Sequence, residues 1–180
     1  GDEVLVPDPS WPVYEMQVMS LGMTPVPYVM PAANGFEPKR ENIEPFITDK
    51  TKAIMVNTPS NPTGAVFSEE TVRMIMELAE KYDLYVISDE IYGELTYKGG
   101  HTSIASLPGM KERTLVINGF SKGFAMTGWR LGFVCGPQII MDQMLKIHQY
   151  ALLCAPTNSQ YAAGEALRNC GDEVKKMQDA

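Results

Sequence analysis

The sequence predicts an α/β fold in which a mostly parallel β-sheet is sandwiched by helices. Short apolar runs alternate along the chain with segments of helical periodicity, which is typical of a parallel sheet with connecting helices. The central runs are continuously apolar, as expected for strands that are buried on both faces. At 180 residues the chain is long enough for one sizeable domain. No repeat or internal linker divides it.

Four strands and two main helices are predicted before residue 90. A helix begins at Pro12, whose fixed φ suits a first turn, and runs to about residue 21. Another begins after Ser68, a typical N-cap, and ends near residue 82. The predicted strands cover residues 4–6, 25–30, 53–57 and 84–88, and residues 41–47 form at most a short helix. The second strand is expected at a sheet edge because it contains prolines.

The second half of the chain continues the alternation. Residues 97–110 are rich in Gly, Ser and His and are predicted to form a surface loop. Strands are expected at residues 114–118 and 131–135. A long helix with an apolar stripe then begins at Pro137, and a further helix covers about residues 158–169.

Composition excludes several classes of function. The formal net charge of −7 argues against nucleic-acid binding through a basic face. No apolar stretch is long enough to cross a membrane, and the first residues show no signal-peptide pattern, so a cytoplasmic protein is expected. Three cysteines without C-x-x-C spacing and two distant histidines predict neither a disulfide framework nor a metal centre.

A lysine in a tight turn is the strongest candidate for chemistry. Lys122 lies in the segment NGFSKGFAMTGWRLG, directly after the strand predicted at residues 114–118. An amine held there away from bulk water is a nucleophile that can form a Schiff base. The glycines of this segment let the backbone approach a bulky anion, and Arg130 can grip a phosphate with its planar fork. Taken singly, each cation is more commonly a solvated surface residue.

Two further polar groups follow predicted strands. Asn61 comes after the strand at residues 53–57, and its amide can donate and accept hydrogen bonds at the carboxyl end of the sheet. Asp89 ends the strand at residues 84–88, and Tyr92 follows three residues later. A carboxylate at the end of a buried strand needs a cationic partner. A plain loop and a helix cap are the ordinary alternatives for these two segments.

The order of these residues resembles that of the fold-type I pyridoxal-phosphate enzymes. The closest likeness is to class I/II aminotransferases of the aspartate and aromatic group. It is carried by NPTG at residues 61–64, SDEIY at 88–92, SK at 121–122 and GWRLG at 128–132. The likeness runs through the whole chain, which is less than half as long as such enzymes usually are. Residues 1–180 are therefore expected to form most of the cofactor-binding large domain, without the small domain.

The resemblance implies a cofactor, pyridoxal 5′-phosphate, and a role for each candidate residue. Lys122 would form the Schiff base and shuttle a proton at the substrate Cα. Asp89 would keep the pyridine nitrogen protonated, which makes the ring an electron sink. Tyr92 and Asn61 would hydrogen-bond the phenolic oxygen of the cofactor.

The resemblance also implies a phosphate site and a stacking residue. Arg130 would bind the phosphate, and Ser121 could add a hydroxyl. Trp11 falls where the family places an aromatic ring against the pyridine, although an ordinary packing tryptophan is an equal alternative. Many relatives carry serine where this chain has Gly119, so either a backbone N–H or Ser121 would substitute for it.

The leading function is therefore transfer of an amino group between an amino acid and a 2-oxo acid by a homodimer, with no nucleic-acid or membrane partner. Two alternatives stay open. The first is a C–S lyase that performs β-elimination with the same cofactor-holding residues. The second is a non-catalytic cofactor-binding regulatory domain. The AMTGWR run favours the aminotransferase, and the isolated chain is expected to be inactive.

Overall fold

A computed structural model describes residues 1–180, which form a six-stranded sheet with the order β2-β1-β3-β4-β5-β6. The strands are β1 (Glu3–Asp8), β2 (Thr24–Val29), β3 (Thr51–Asn57), β4 (Tyr85–Asp89), β5 (Thr114–Gly119) and β6 (Gly132–Cys135). The helices are α1 (Val13–Ser20), α2 (Arg40–Ile43), α3 (Glu69–Lys81), α4 (Gln138–Ala151), α5 (Thr157–Asn169) and α6 (Gly171–Asp179). Strands β1 to β5 are parallel to their neighbours, and β6 pairs antiparallel with β5. The predicted fold class is confirmed.

Alternate residues of the central strands supply two separate cores. Ile54 and Val56 of β3 belong to the larger buried cluster, together with Ile75 and other residues of α3. Their neighbour Met55 belongs to a second cluster with Tyr14 of α1. Because successive side chains of a strand point to opposite faces, α1 and α3 cover opposite faces of the sheet. Each fully buried Val, Leu or Ile contributes roughly 1.5–3 kcal/mol to such a core.

A third, smaller core lies beside the turn that carries the candidate lysine. Phe120, which follows β5, is buried with Ala163 and Ala166 of α5. The Ser159 hydroxyl of the same helix donates to the Trp129 carbonyl at 2.8 Å. Helix α5 therefore contacts the segment between β5 and β6 near both ends of that segment, at Phe120 and at Trp129.

The structure corrects two expectations and adds one helix. Residues 97–110 are not simply a surface loop, because Ile104, Leu107 and Met110 are buried in the larger core. These residues are three apart, so single helical turns bring their side chains to the same side, facing the core. The Gly and Ser residues around them hid this pattern in the sequence. No residue of α4 is buried, and Ile147 on its predicted apolar stripe is 72% exposed. Helix α6 was not predicted. None of the helices is both long enough and apolar enough to cross a membrane.

The predicted N-cap at Ser68 is confirmed and belongs to a larger capping arrangement. The Ser68 hydroxyl accepts a hydrogen bond from the Thr71 N–H at 3.2 Å. One carboxylate oxygen of Glu37 accepts from the Ser68 N–H at 2.9 Å and from the Thr71 hydroxyl at 2.7 Å. Burial raises the pKa of Glu37, but the hydrogen bonds from Thr71 and Ser68 outweigh it and leave the pKa below its usual value of 4.5.

This capping carboxylate predicts a specific acid sensitivity. A carboxylate whose pKa is lowered by folding stabilises the fold above its unfolded pKa, and that contribution is lost as the pH falls through the lowered folded value. We expect Glu37→Gln to reduce the loss of unfolding free energy below about pH 4.5, measured by urea unfolding at several pH values. Glu41→Gln, at an exposed site, is the control and should leave that dependence unchanged. Identical acid dependence in wild type and Glu37→Gln would contradict the assignment.

Candidate functional site

The carboxyl ends of four parallel strands meet at one edge of the sheet, and the candidate residues follow them. Within the sheet, β2 lies on one side of β1 and β3 lies on the other. The strand order therefore reverses next to β1. Ligands of open α/β sheets bind outside the carboxyl ends of the strands at such a reversal. Trp11, Asn61, Asp89 and Lys122 come at or shortly after the ends of β1, β3, β4 and β5, respectively.

Asp89 is held by hydrogen bonds and not by a cation. The Tyr14 hydroxyl donates to its Oδ2 at 2.6 Å, and the Ile91 N–H donates to its Oδ1 at 3.1 Å. No lysine or arginine of the chain pairs with this half-buried carboxylate, so the cationic partner expected from the sequence is not part of the chain. Burial, followed by the hydrogen bond to Asp89, raises the pKa of Tyr14 far above its usual value. Tyr14 therefore stays a hydroxyl donor.

Sequence reasoning missed Tyr14, although one signal for it was available. Tyr14 lies one helical turn after Trp11, a spacing that brings two side chains to the same side of a helix start. The two rings pack edge to face with their centroids 5.6 Å apart. Trp11, itself 44% exposed, is thus connected to Asp89 through Tyr14.

Asn57 was also missed, and it fixes the loop that carries Asn61. This residue ends β3, is 2% exposed, and donates from Nδ2 to the Asp89 carbonyl at 3.1 Å. Its Oδ1 accepts from the Asn61 N–H at 2.7 Å. The buried amide therefore joins the end of β4 to the NPTG loop. Asn61 is held through its backbone, which leaves its side-chain amide free for a ligand.

Tyr92 stands next to both Asn61 and Lys122. The residues Tyr92 and Asn61 line the same cavity of about 560 Å³. The Lys122 Nζ lies 5.5 Å from the centre of the Tyr92 ring, within the range of a cation–π contact. Lys122 is exposed, so this chain alone does not hold the amine away from water as the sequence analysis expected. A hydrogen bond from the Ala125 N–H to the Lys122 carbonyl, at 3.0 Å, closes the turn.

Ser121 and Arg130 lie in the segment between β5 and β6. Pairing of Gly119 with Gly132 closes the base of this segment. Arg130 is exposed and has a left-handed backbone with φ of 50°. Its Nη1 donates to the Thr127 carbonyl at 3.0 Å, and no carboxylate pairs with it. An arginine without a carboxylate partner is suited to a phosphate. No hydrogen bond of this chain engages the half-buried Ser121 hydroxyl.

Close strand packing gives a physical reason for Gly119. A Cβ atom at this position would lie 3.0 Å from both the Gly132 Cα and the Leu131 carbonyl oxygen. A serine at this position would therefore need β6 to shift by a few tenths of an ångström. The Gly119 N–H already donates to the Asn118 side chain at 2.7 Å, which removes it as the free phosphate donor considered from the sequence. The structure shows no group of three or more His, Cys, Asp or Glu side chains arranged to hold a metal ion.

Comparison with known proteins identifies the family of this chain. The family model described as aminotransferase class I and II matches residues 1–180. The chain is 52% identical over 177 residues to the Bacillus subtilis protein YugH, covering 98% of this chain and 46% of that protein. It is 45% identical over 170 residues to an aspartate aminotransferase of Pyrococcus abyssi, covering 94% of this chain and 44% of the relative.

Solved structures agree with this match. An aromatic aminotransferase from Pyrococcus horikoshii superposes with a TM-score of 0.96 at 42% identity, covering 99% of this chain and 49% of that one. The aspartate aminotransferase of Thermus thermophilus with maleate superposes with a TM-score of 0.96 at 39% identity, covering 100% of this chain and 47% of that one. The chain thus spans a little under half the length of the curated relatives it matches.

The close approach at Gly119 predicts that an added methyl group destabilises the fold at this position and not at a glycine with open space around it. We expect Gly119→Ala to lower the unfolding free energy by about 1–3 kcal/mol, because the new Cβ meets backbone that must move. Gly128→Ala is the matched control, since a Cβ there meets nothing within 4 Å. Its effect should stay within about 0.5 kcal/mol. Urea unfolding measures both, and equal values for the two variants would show that β6 moves freely.

Proposed function

Because the chain belongs to the class I and II aminotransferases, we propose that the whole protein transfers an amino group between an amino acid and a 2-oxo acid. One observation carries the proposal. A carboxylate without a cationic partner, Asp89, lies at the same sheet edge as Lys122, whose amine stands over the Tyr92 ring. Members of this family depend on pyridoxal 5′-phosphate, and these groups are the ones that such a cofactor requires.

The residues present fit the cofactor, because several of their polar groups have no partner within the chain and can bind a ligand. Asp89 accepts two hydrogen bonds but meets no cation, so it can pair with a protonated ring nitrogen. Asn61, whose side-chain amide is free, and Tyr92 line one cavity, and their amide and hydroxyl groups can bind a phenolic oxygen. Arg130 can bind the phosphate. Trp11 presents an exposed ring, held edge-on by Tyr14, on which a planar group can stack.

Each side chain then has a defined task. When bound, the cofactor supplies an electron sink for the charge that develops at the substrate Cα. Asp89 holds the proton on the ring nitrogen, and Tyr14 keeps that carboxylate oriented. Lys122 provides the amine that anchors the cofactor and moves the proton at the substrate Cα. Tyr92 orients the phenolic oxygen next to this amine.

The two alternative functions have no observation of their own in their favour. β-Elimination would use the same cofactor-holding residues, and a regulatory domain would retain them without turnover. Three of the proteins described above are named as aspartate or aromatic aminotransferases, which supports amino-group transfer. We extend to this protein the chemistry common to them, which is exchange between an amino acid and a 2-oxo acid.

We propose the following setting for this activity. Residues 1–180 form most of the cofactor-binding large domain of the protein, which the continuous sheet and the share of the relatives' length support. The family resemblance supports a homodimer. Three free cysteines fit a reducing compartment such as the cytoplasm.

Replacement of Lys122 tests the covalent link. We expect the full-length protein with cofactor to show a visible absorption band that Lys122→Ala abolishes, because the amine that forms the link is gone. Borohydride reduction followed by peptide mapping should label Lys122. Lys111→Ala, an exposed site away from the turn, should keep the band. A band that survives Lys122→Ala would mean that another lysine carries the cofactor.

Replacement of Asp89 tests the electron sink. Asp89→Asn keeps the size of the side chain and removes its charge, so the ring nitrogen loses the partner that keeps it protonated. We expect kcat/KM for amino transfer to fall by about 100-fold or more, from the loss of one member of a partly buried ion pair. Asp172→Asn, on the exposed side of α6, is the control. An activity within a factor of about three of wild type would remove Asp89 from the mechanism.

A further inference from the structure

A second carboxylate, Glu90, follows Asp89 and is used by none of the steps above. Glu90 is 4% exposed and is the one residue with a carboxylate or a basic side chain among the buried positions. Its Oε1 accepts from the Ser88 hydroxyl at 2.9 Å and from the Ser103 hydroxyl at 2.8 Å. Its Oε2 lies 3.0 Å from the His101 Nε2. We refer to Ser88, Glu90, His101 and Ser103 as the Glu90 network.

Stability alone does not account for a buried charge at this place. Taking a carboxylate out of water costs several kcal/mol, which its partners only offset. Apolar side chains of similar volume often fill such a space with equal or greater stability. What the network adds beyond apolar packing is a fixed geometry, because directional hydrogen bonds from two serines and a histidine specify the position of each group.

The network is built into the turn that carries Tyr92. The Glu90 N–H donates to the Ile117 carbonyl of β5 at 2.9 Å, and the Glu90 carbonyl accepts from the Gly93 N–H at 2.8 Å. These two bonds tie the start of the turn to the sheet and close it around Tyr92. The side chain of Glu90 meanwhile binds His101, eleven residues further along the chain.

His101 presses on the other end of the same turn. A Cβ atom at Gly93 would lie 3.2 Å from the His101 Cδ2, so the imidazole covers the backbone directly after Tyr92. Movement of His101 would therefore free the peptide that sets the direction of the Tyr92 side chain. The Tyr92 ring is in turn the group that stands 5.5 Å from the Lys122 amine.

We propose that Glu90 and His101 are positioning residues that fix the Tyr92 hydroxyl at the phenolic oxygen of the cofactor, and thereby set the proton affinity of its link to Lys122. This inference rests on the proposed function. A hydroxyl that donates to the phenolic oxygen stabilises the charge left there when the link loses its proton. Loss of that donor, or its displacement, therefore shifts the proton loss to higher pH.

The experiment is a pH titration of the visible band in full-length protein loaded with pyridoxal phosphate. Tyr92→Phe should raise the midpoint of the titration. Glu90→Ala should raise it in the same direction, by about half a unit or more. The double variant Glu90→Ala/Tyr92→Phe should shift no further than Tyr92→Phe alone, because Glu90 acts through the missing hydroxyl. Glu112→Ala, an exposed glutamate, is the matched control and should titrate as wild type.

Two further variants separate positioning from general damage. Glu90→Gln retains an oxygen acceptor for both serine hydroxyls and should restore most of the wild-type midpoint. His101→Ala leaves the carboxylate in place and removes the ring from Gly93, so it carries the same test if Glu90→Ala fails to fold. It should also raise the midpoint without adding to Tyr92→Phe. Thermal unfolding of each apoprotein measures any loss of stability separately.

The outcomes distinguish this inference from the proposed function. A wild-type band that titrates normally, with unchanged midpoints in Glu90→Ala and His101→Ala, overturns the positioning role alone. Shifts that add to that of Tyr92→Phe also overturn it, since they show an action independent of the hydroxyl. A wild-type protein that forms no visible band with the cofactor overturns the proposed function and this inference together.

Discussion

The parallel pairing of β3, β4 and β5 is the constraint on which the candidate site depends. Its register places Asn57 opposite Asp89, and Asp89 opposite Ile117. Because the strands run in the same direction, each one delivers its following turn to the same edge of the sheet. Asn61 and Lys122 are therefore brought near Asp89 by strand direction before any side chain of the site makes a contact. Strand β3 is buried against helices on both faces, and β4 adds Val86 to the larger core, whereas the middle residues of β5 are half-buried.

Hydrogen bonds from outside these strands then set the local chemistry. Asp89 keeps its charge available because Tyr14 and the Ile91 N–H satisfy it without neutralising it. A lysine or arginine in that position would form an ion pair within the chain and would compete with a ligand cation. The Tyr14 hydroxyl, which burial keeps protonated, orients the carboxylate and leaves the charge for the ligand. This arrangement explains why a half-buried acid can lack a cationic partner within its own chain.

The sequence predicted the strands, their mostly parallel arrangement and the residues at the strand ends. These features follow from local apolar runs, from their alternation with helices and from turn signals. It did not predict Tyr14, since its bond to Asp89 joins residues 75 positions apart and depends on how α1 packs. Asn57 was hidden for a similar reason, because a polar residue within an apolar strand gives no sign of its partners. The burial of Ile104 depends on the larger core across the sheet. Exposure of α4 escaped prediction because periodicity identifies an apolar stripe and not what covers it.

Consecutive carboxylates at the end of β4 serve opposite purposes, and the pleat of the strand separates them. Ser88 and Glu90 point to the buried side, whereas Asp89 between them is half-buried. A single strand end can thus present one charge to a ligand and use the next to fasten the turn that follows. The two charges have different requirements: Asp89 needs unused bonding capacity, and Glu90 needs hydrogen bonds to both of its oxygens, because an unsatisfied buried carboxylate would destabilise the turn. The three donors on Glu90 meet that requirement, so the direction of Tyr92 is fixed by the same strand that positions Asp89.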